Sequence, residues 1–318
     1  MEIRNGQDDF YVNGGCAVTI GKFDGVHRGH QKLIKDVVSR AKVSGIKSCV
    51  ITFDDTDFDK KAKEISETSE PEEKREVKPA LTVFEEKKRL IEKLGIDLLV
   101  VFKLDDSLML MNPYAFIDSV LMDKLNMQSV SIGPDFRFGH KREGKAMTFV
   151  KAAMIYGYGV YVIDKEESGD KPISSSRIRD LLSEGDIETV NEMLGREYSV
   201  TGITRSGDKI GRSIGFPTMN LYPCPNKLLP PNGVYSTDVL IGGRLYRAVT
   251  NVGVRPTVSE GKDIISVESH LLDFKAMGKE DYDKEISVSF KKKIRNEQRF
   301  GSKEELAEQI RKDISALD

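Results

Sequence analysis

Cysteine is scarce in this chain: three residues, Cys16, Cys49 and Cys224, far apart and without a Cys-x-x-Cys spacing. Such a set argues against a disulfide framework or a cysteine zinc site and fits a reducing compartment. Long apolar runs are missing as well. The run "IDLLVVF" has the length of a buried strand, well short of the ~20 residues of a membrane span. The opening "MEIRNGQDDF" lacks the apolar core of a signal peptide. A cytoplasmic protein without membrane contact is expected. Nor is there an excess of charge of one sign. The formal net charge is -2, whereas a nucleic-acid binder usually shows a basic excess or stripe. No nucleic-acid partner is expected, and the cluster Lys291-Lys292-Lys293 reads as a solvated face.

What is present is enough for two packed domains. The chain has 318 residues, 39% hydrophobic and 31% charged, too long for one ordinary domain. In the first half, apolar runs alternate with helical patterns. "CAVTIG", "KSCVITF", "IDLLVVF", "SVSIG" and "GVYVID" read as strands. "HQKLIKDVVSRAKVSG", "VFEEKKRLIEKLG", "PYAFIDSVLMDKLN" and "AMTFVKAAMIYG" read as helices. This alternation predicts a parallel, doubly wound α/β sheet, whose ligands bind beyond the carboxyl ends of the strands. Residues 57–79 are highly charged with few large apolar side chains, the composition of a mobile surface loop. After two short helices in "SRIRDLLSEGDIETVNEMLGREY" the period changes. "GVYSTDVLIGGRLYRAVTNVGV" predicts a hairpin around Gly242-Gly243, and "IISVESHLLDF" and "EISVSF" predict further strands. A small antiparallel barrel or sandwich closed by the helix "KEELAEQIRKDISAL" is expected. The boundary falls between 184 and 198, giving domains 1–185 and 186–318.

Two of the four histidines lie in one short stretch, "VTIGKFDGVHRGHQK". Gly21, Gly25 and Gly29 punctuate it, with Asp24, His27 and His30 between. Three readings compete. It is a strand-to-helix turn with incidental histidines; or His27, His30 and Asp24 share a metal ion; or the glycines and the next helix's N-terminal amides receive a phosphate, with the imidazoles as hydrogen-bond donors. Later, in "ISSSRIR", Ser174 or Ser175 can cap a helix, with Arg177 and Arg179 close by to meet phosphate charge. In the second half, "SGDKIGRSIGFPTMN" repeats Gly207, Gly211 and Gly215 around Lys209 and Arg212, as a phosphate loop does. If Thr218 and Asn220 lie on a strand they share a face and offer hard oxygen ligands suited to Mg²⁺. Glu268 and His270 share a face by the same alternation, and a carboxylate there is placed to accept a proton from a hydroxyl; a solvent-facing salt-bridge partner is the plainer alternative.

"HRGH" resembles the His-x-Gly-His signature of nucleotidyltransferases. Together with "IGPDFRFGHKREG", "ISSSRIRDLLSEGD", "LGREYSVTG", "GRSIGFPTMNL", "LLPPNGVY", "NVGVRPTV", "VESHLLDF" and "IRNEQRFGS", it gives the chain, over nearly its whole length, the look of the prokaryotic-type bifunctional riboflavin kinase/FAD synthetase family. The resemblance implies a Rossmann-like nucleotidyltransferase domain followed by a β-barrel kinase domain with a C-terminal helix. It implies ATP as co-substrate with Mg²⁺, riboflavin and FMN as partners, and FMN and FAD as products. By the same resemblance Glu268 is the kinase base, Thr218 and Asn220 hold the metal, and Arg295 contacts the flavin. His27, His30 and Arg179 serve adenylyl transfer. Gly21, Phe23, Asp24, Gly25, Gly29, Ser175 and Ser176 line one nucleotide site, and Lys209, Gly211, Arg212, Gly215 and Pro217 the other. Asp135 and Phe136 border the first domain's flavin pocket. The chain departs from the family's pattern where Asp55-Thr56-Asp57 replaces the usual Pro-His-Pro and where Ser176 replaces a Thr. The acidic replacement leaves a second reading open: a riboflavin kinase whose first half is a weak or inactive adenylyltransferase. A flavin-binding regulatory protein is a third.

Overall fold

The computed structural model describes residues 1–54, 79–205, 214–224, 226–256, 263–274 and 283–317, with backbone alone for 254–256 and 263–265. The charged stretch after Asp54, with Asp55-Thr56-Asp57, and the residues Gly207, Lys209, Gly211 and Arg212 lie outside the described residues. The chain divides into two units, Met1–Ile173 and Ser174–Asp318. This division comes earlier in the chain than the boundary at 185/186. The two short helices α6 (Ser175–Glu184) and α7 (Ile187–Leu194) pack on each other, and α7 packs on the barrel. Asn191 ties it there: its amide donates to the Phe290 carbonyl at 2.8 Å, and its side-chain oxygen accepts from the Tyr198 N–H at 2.6 Å.

The first unit is built on a six-stranded parallel sheet in the order β1-β4-β3-β2-β5-β6. These strands are Glu2–Asn5, Leu98–Lys103, Lys47–Asp54, Cys16–Ile20, Met127–Ile132 and Gly159–Val162. The central strand β2, CAVTI, is buried at every position, because helices cover both faces of a parallel sheet and leave no side for polar residues. Helix α1 (Arg28–Ser44) turns Ile34, Val37 and Ala41 inward and stops at Gly45. The burial of Ile34 and Val37 contributes about 1.5–3 kcal/mol each, and Gly45, at φ 65°, supplies the left-handed residue that ends the helix. Helix α2 spans Phe84–Glu92, α3 is the single turn Asp106–Met109 and α4 is Pro113–Phe116, continuing as a π-helical stretch over Ile117–Met122. The one long helix expected over this segment is therefore composite. Helix α5 is Ala146–Tyr156, capped by Gly157. A two-residue hairpin, β7 (Glu167–Ser168) with β8 (Lys171–Pro172), ends the unit.

Chain order reverses at β2, which has β3 on one side and β5 on the other. This is the switch point at which doubly wound sheets open a crevice beyond the strand ends. Gly21 and Gly133 follow directly on β2 and β5. The two motifs, "GKFDGVHRGH" and "GPDFRFG", thus leave neighbouring strands at the same edge.

The second unit is a closed antiparallel barrel, β10-β13-β12-β11-β14-β9. Its strands are Tyr198–Arg205 (β9), Met219–Pro223 (β10), Gly233–Ile241 (β11), Arg244–Pro256 (β12), Asp263–Leu271 (β13) and Glu285–Arg295 (β14), with helix α8 (Lys303–Ser315) after them. The predicted hairpin is β11–β12, with Gly242 and Gly243 at φ 55° and 79°. β1 and β9 were not among the expected strands. β1 has only four, largely exposed residues, and the alternation of β9 carries a glycine. Inside the barrel, hydroxyls bridge three strands: Thr237 to Thr250 at 2.6 Å and Thr250 to Ser269 at 2.8 Å, all buried.

Removal of the middle hydroxyl takes this partner from the buried Ser269 and leaves Thr237 only its longer bond to the Ala248 carbonyl at 3.3 Å. Thr250→Val, which keeps the shape, is expected to destabilise the barrel by roughly 1–3 kcal/mol, read as a lowered midpoint in denaturant unfolding of the full chain.

Candidate active sites in the two units

In the first unit the loop after β2 is tightly wound. The Gly21 N–H donates to the Ile51 carbonyl at 3.0 Å. A Cβ on Gly21 would sit 3.3 Å from the buried Phe23 ring, a tight contact that the ring would have to yield to. Phe23 and Val26 hold positive φ, 50° and 39°, a conformation unfavourable for large side chains that concentrates at functional sites. The loop is braced from outside. Asp24 accepts from the backbone N–H groups of Leu81 (3.3 Å) and Thr82 (3.0 Å), and the Gly25 N–H donates to Thr82 Oγ1 at 3.0 Å. These bonds give Asp24 the role of a brace.

His27 caps α1 by accepting the His30 N–H on Nδ1 at 3.3 Å. That bond leaves the ring proton of His27 on Nε2. The two imidazoles stack, centroids 3.6 Å apart at 19°, with Phe23 edge-on to His30 at 5.2 Å. A Cβ on Gly29 would meet the His27 ring at 3.3 Å. Burial, with the neighbouring His27 ring and Lys87 ammonium adding to it, holds His30 well below the ordinary histidine value, so the ring is neutral. His30 Nδ1 and Thr19 Oγ1 are buried polar atoms with no hydrogen-bond partner among the described residues. The helix thus presents its first amides together with two stacked imidazoles, and Arg28 and Lys32 stand nearby on Glu166. Among the described residues no group of three or more His, Cys, Asp or Glu side chains is gathered to hold a metal ion.

Lys87 is a residue the sequence reading missed. It is buried, and its ammonium donates to the Lys22 and Phe53 carbonyls at 3.1 and 3.2 Å, joining the loop after β2 to the end of β3. The available signal was a lysine four positions before the buried Ile91, on the apolar face of its helix.

Beside this loop lies a cavity of about 430 Å³. Ile20, Gly21 and Lys22 form one wall, and Phe116, Phe136 and Phe138 line it. Phe136 and Phe138 stack at 5.7 Å, and Phe138 stacks on Phe149 at 4.6 Å. Asp135 is not among its lining residues; exposed, it pairs with Lys165. Ser175, Ser176 and Arg179 lie on α6 in the second unit, where Ser174 is the cap, accepting the Arg177 N–H at 3.2 Å.

The second unit has its own cavity, of about 410 Å³, on the outer face of the barrel. Register explains its composition. Asn220 of β10 pairs with Glu268 of β13, which pairs with Asn251 of β12, which pairs with Val234 of β11, which pairs with Arg295 of β14. One cross-strand row therefore carries five lining residues, because side chains of paired residues point to the same face. Thr218, just before β10, and His270 line it too. The expectation that Thr218 and Asn220, and Glu268 and His270, share a face agrees with this arrangement. Arg295 is locked by two-pronged bonds to the buried Asp313 of α8, at 2.9 and 2.8 Å. His270 Nδ1 lies 2.9 Å from the Pro217 carbonyl, which steadies the residue before Thr218. Gly215 holds φ 88° at the turn into this segment. Asn251 and Glu297, joined at 3.3 Å, were not found from sequence; Asn251 had no marker beyond its place in "TNVGV".

Comparison with known proteins agrees with both halves. A family model described as FAD synthetase matches residues 10–177, and one described as riboflavin kinase matches 194–318. The bifunctional riboflavin kinase/FMN adenylyltransferase of Escherichia coli K12 is 34% identical over 94% of this chain and 90% of its own length. That of Bacillus subtilis 168 is 36% identical over 93% of this chain and 89% of its own. A crystal structure described as a macrolide-efflux protein from Streptococcus pneumoniae superposes with a TM-score of 0.84 at 23% identity, covering 100% of this chain and 99% of that one; at that identity it speaks for the fold alone. Among the described residues no helix is long and apolar enough to cross a membrane.

The neutral His30 has a consequence for stability. Its folded value lies below the unfolded value of about 6.5, so as pH falls past that point the unfolded chain binds the proton first and the folded state loses ground. The thermal midpoint of the first unit is expected to drop between pH 7.5 and 5.5 by calorimetry. His30→Gln, which cannot titrate, is expected to flatten that slope.

Proposed function

Because the chain belongs to the bifunctional riboflavin kinase/FMN adenylyltransferase family, we propose that its two cavities divide that family's two reactions, with the first domain taken as residues 1–185 and the second as 186–318. The chain phosphorylates riboflavin to FMN with ATP and adenylylates FMN to FAD with release of pyrophosphate. The observation that carries the assignment is the cross-strand row Asn220–Glu268–Asn251 on one wall of the barrel cavity.

In the barrel, Glu268 accepts the proton of the riboflavin 5′-hydroxyl as its oxygen attacks the γ-phosphorus of ATP and ADP leaves. Ser266 Oγ donates to the Glu268 carboxylate at 3.3 Å and orients it. Thr218 and Asn220 supply neutral hard oxygens beside that carboxylate, a donor set that suits Mg²⁺. The ion, when bound, neutralises charge on the ATP phosphates. Arg295, held by Asp313, borders the flavin.

In the first unit the nucleophile is an FMN phosphate oxygen, already an anion at neutral pH. The transfer to the α-phosphorus of ATP needs no base; it needs donors where charge gathers. His27 carries its proton on Nε2, and the neutral His30 adds a second imidazole beside it. The amides opening α1 receive phosphate oxygens. The apolar cavity lined by Phe136 and Phe138 takes the flavin ring. Gly21, Phe23, Asp24, Gly25 and Gly29 shape the loop; the family resemblance also gives Ser175, Ser176 and Arg179 to nucleotide binding. Lys209, Gly211 and Arg212 play the corresponding part for the kinase.

Incubation with riboflavin, ATP and Mg²⁺, followed by chromatography of the flavins, tests the reading. FMN and FAD are both expected; FMN alone would leave a kinase with a silent first half, the result the acidic Asp55-Thr56-Asp57 invites. Glu268→Gln is expected to lower FMN formation by about 10²–10⁴-fold while supplied FMN is still adenylylated. His27→Ala with His30→Ala is expected to do the reverse, abolishing FAD formation and sparing the kinase. Equal loss of both reactions in either variant would contradict the division.

A further inference from the structure

The first unit's cavity has an uneven charge distribution. Its lining includes four cations, Lys22, Arg137, Lys141 and Arg142, and no carboxylate among the described residues, in a chain whose formal net charge is -2. Beneath the cations the walls are aromatic and aliphatic. A ligand matching this surface has a flat apolar body and one strongly anionic group.

Two of these cations stand on a turn held rigidly at both ends. Phe138 and Gly144 exchange backbone bonds of 3.1 and 2.9 Å, closing the loop between them. Within it the Arg142 N–H donates to the Gly139 carbonyl at 3.0 Å, and the His140 N–H donates to the Met111 carbonyl at 2.8 Å. Lys141 and Arg142 both hold left-handed backbone, φ 49° and 61°. Residues of this size rarely adopt it, least of all in succession. The loop thus keeps two consecutive cationic residues, in an unfavourable backbone conformation, in the lining of an apolar cavity. The rigid turn means that little ordering is needed when an anion arrives. Arg137 is less available, since its guanidinium already donates to the Phe136 carbonyl at 3.2 Å.

We propose that Lys141 and Arg142 are the specificity residues of the adenylylation site, gripping the 5′-phosphate of FMN and thereby excluding the unphosphorylated flavin. The inference rests on the adenylyl-transfer reading of the first unit. It adds a reason why that unit takes the barrel's product and not the barrel's substrate. FMN and riboflavin share the ring and the ribityl chain; only the phosphate separates them, and charge-assisted hydrogen bonds are the interaction that distinguishes it.

The test uses the full chain supplied with FMN and ATP, with FAD formation as the readout. Lys141→Asn with Arg142→Asn removes both charges, and asparagine accepts left-handed backbone. The KM for FMN is expected to rise on the order of 10–100-fold, the loss of one or two charge-assisted bonds. Lumiflavin has the ring but neither ribityl nor phosphate, and its inhibition constant against FMN is expected to stay within about twofold, because the apolar body of the site is untouched. Riboflavin phosphorylation in the barrel is expected to be unchanged. Arg142→Lys alone, which keeps the charge, is expected to hold KM near the wild-type value. The proposal is overturned if KM for FMN is unmoved, if KM for ATP rises in its place, or if lumiflavin weakens in parallel. Wild type that makes no FAD at all would overturn the underlying reading, and the inference with it.

Discussion

Strand pairing is the constraint on which both sites depend. In the barrel, one row of paired residues crosses five strands from Asn220 through Glu268, Asn251 and Val234 to Arg295. A slip of one residue in any pairing would send its member of the row to the apolar interior. That interior is occupied by Tyr235, Val288, Phe290 and the Thr237–Thr250–Ser269 hydroxyls, so the slip would also bury a carboxylate or an amide among them. Core packing therefore enforces the register that assembles the cavity. In the first unit, the pairing of β2 with β5 brings two motifs, more than a hundred residues apart in sequence, to one edge.

The two sites solve opposite problems. A hydroxyl nucleophile must lose a proton, and the barrel sets a carboxylate in its central row. A phosphate nucleophile has no proton to lose at neutral pH. The loop after β2 accordingly offers no carboxylate as a base, since Asp24 is engaged by the Leu81 and Thr82 amides. His30 there is neutral for a structural reason. Stacking on one another under Phe23 removes His30 from water, and desolvation disfavours its charged form.

The first loop also concentrates backbone strain, with Phe23 and Val26 at positive φ. That conformation persists because neighbours over-determine it: the Thr82 brace, the Gly21 bond to Ile51, and the Lys87 ammonium on the Lys22 carbonyl. Each comes from a different element. None of these partners is local in sequence, so no short-range pattern announced them.

Much of the molecule was legible in the sequence because it follows from local chemistry. Period-two and period-3.6 patterns located most strands and helices of both units, Gly45, Gly157 and the Gly242-Gly243 pair marked their ends, and the alternation rule set Thr218 beside Asn220 and Glu268 beside His270. Strands with little apolar content, such as β1, left no such trace, and α4 looked continuous because a π-helical stretch keeps nearly the same spacing. Tertiary structure alone decided that those two pairs of residues meet, that Asn251 and Arg295 join their row, that Asp24 braces a loop and that Lys87 lies buried on two carbonyls. The physical reason is that propensity and periodicity act over a few residues, whereas register, burial and the pairing of buried charges depend on segments that come together only when the chain has folded.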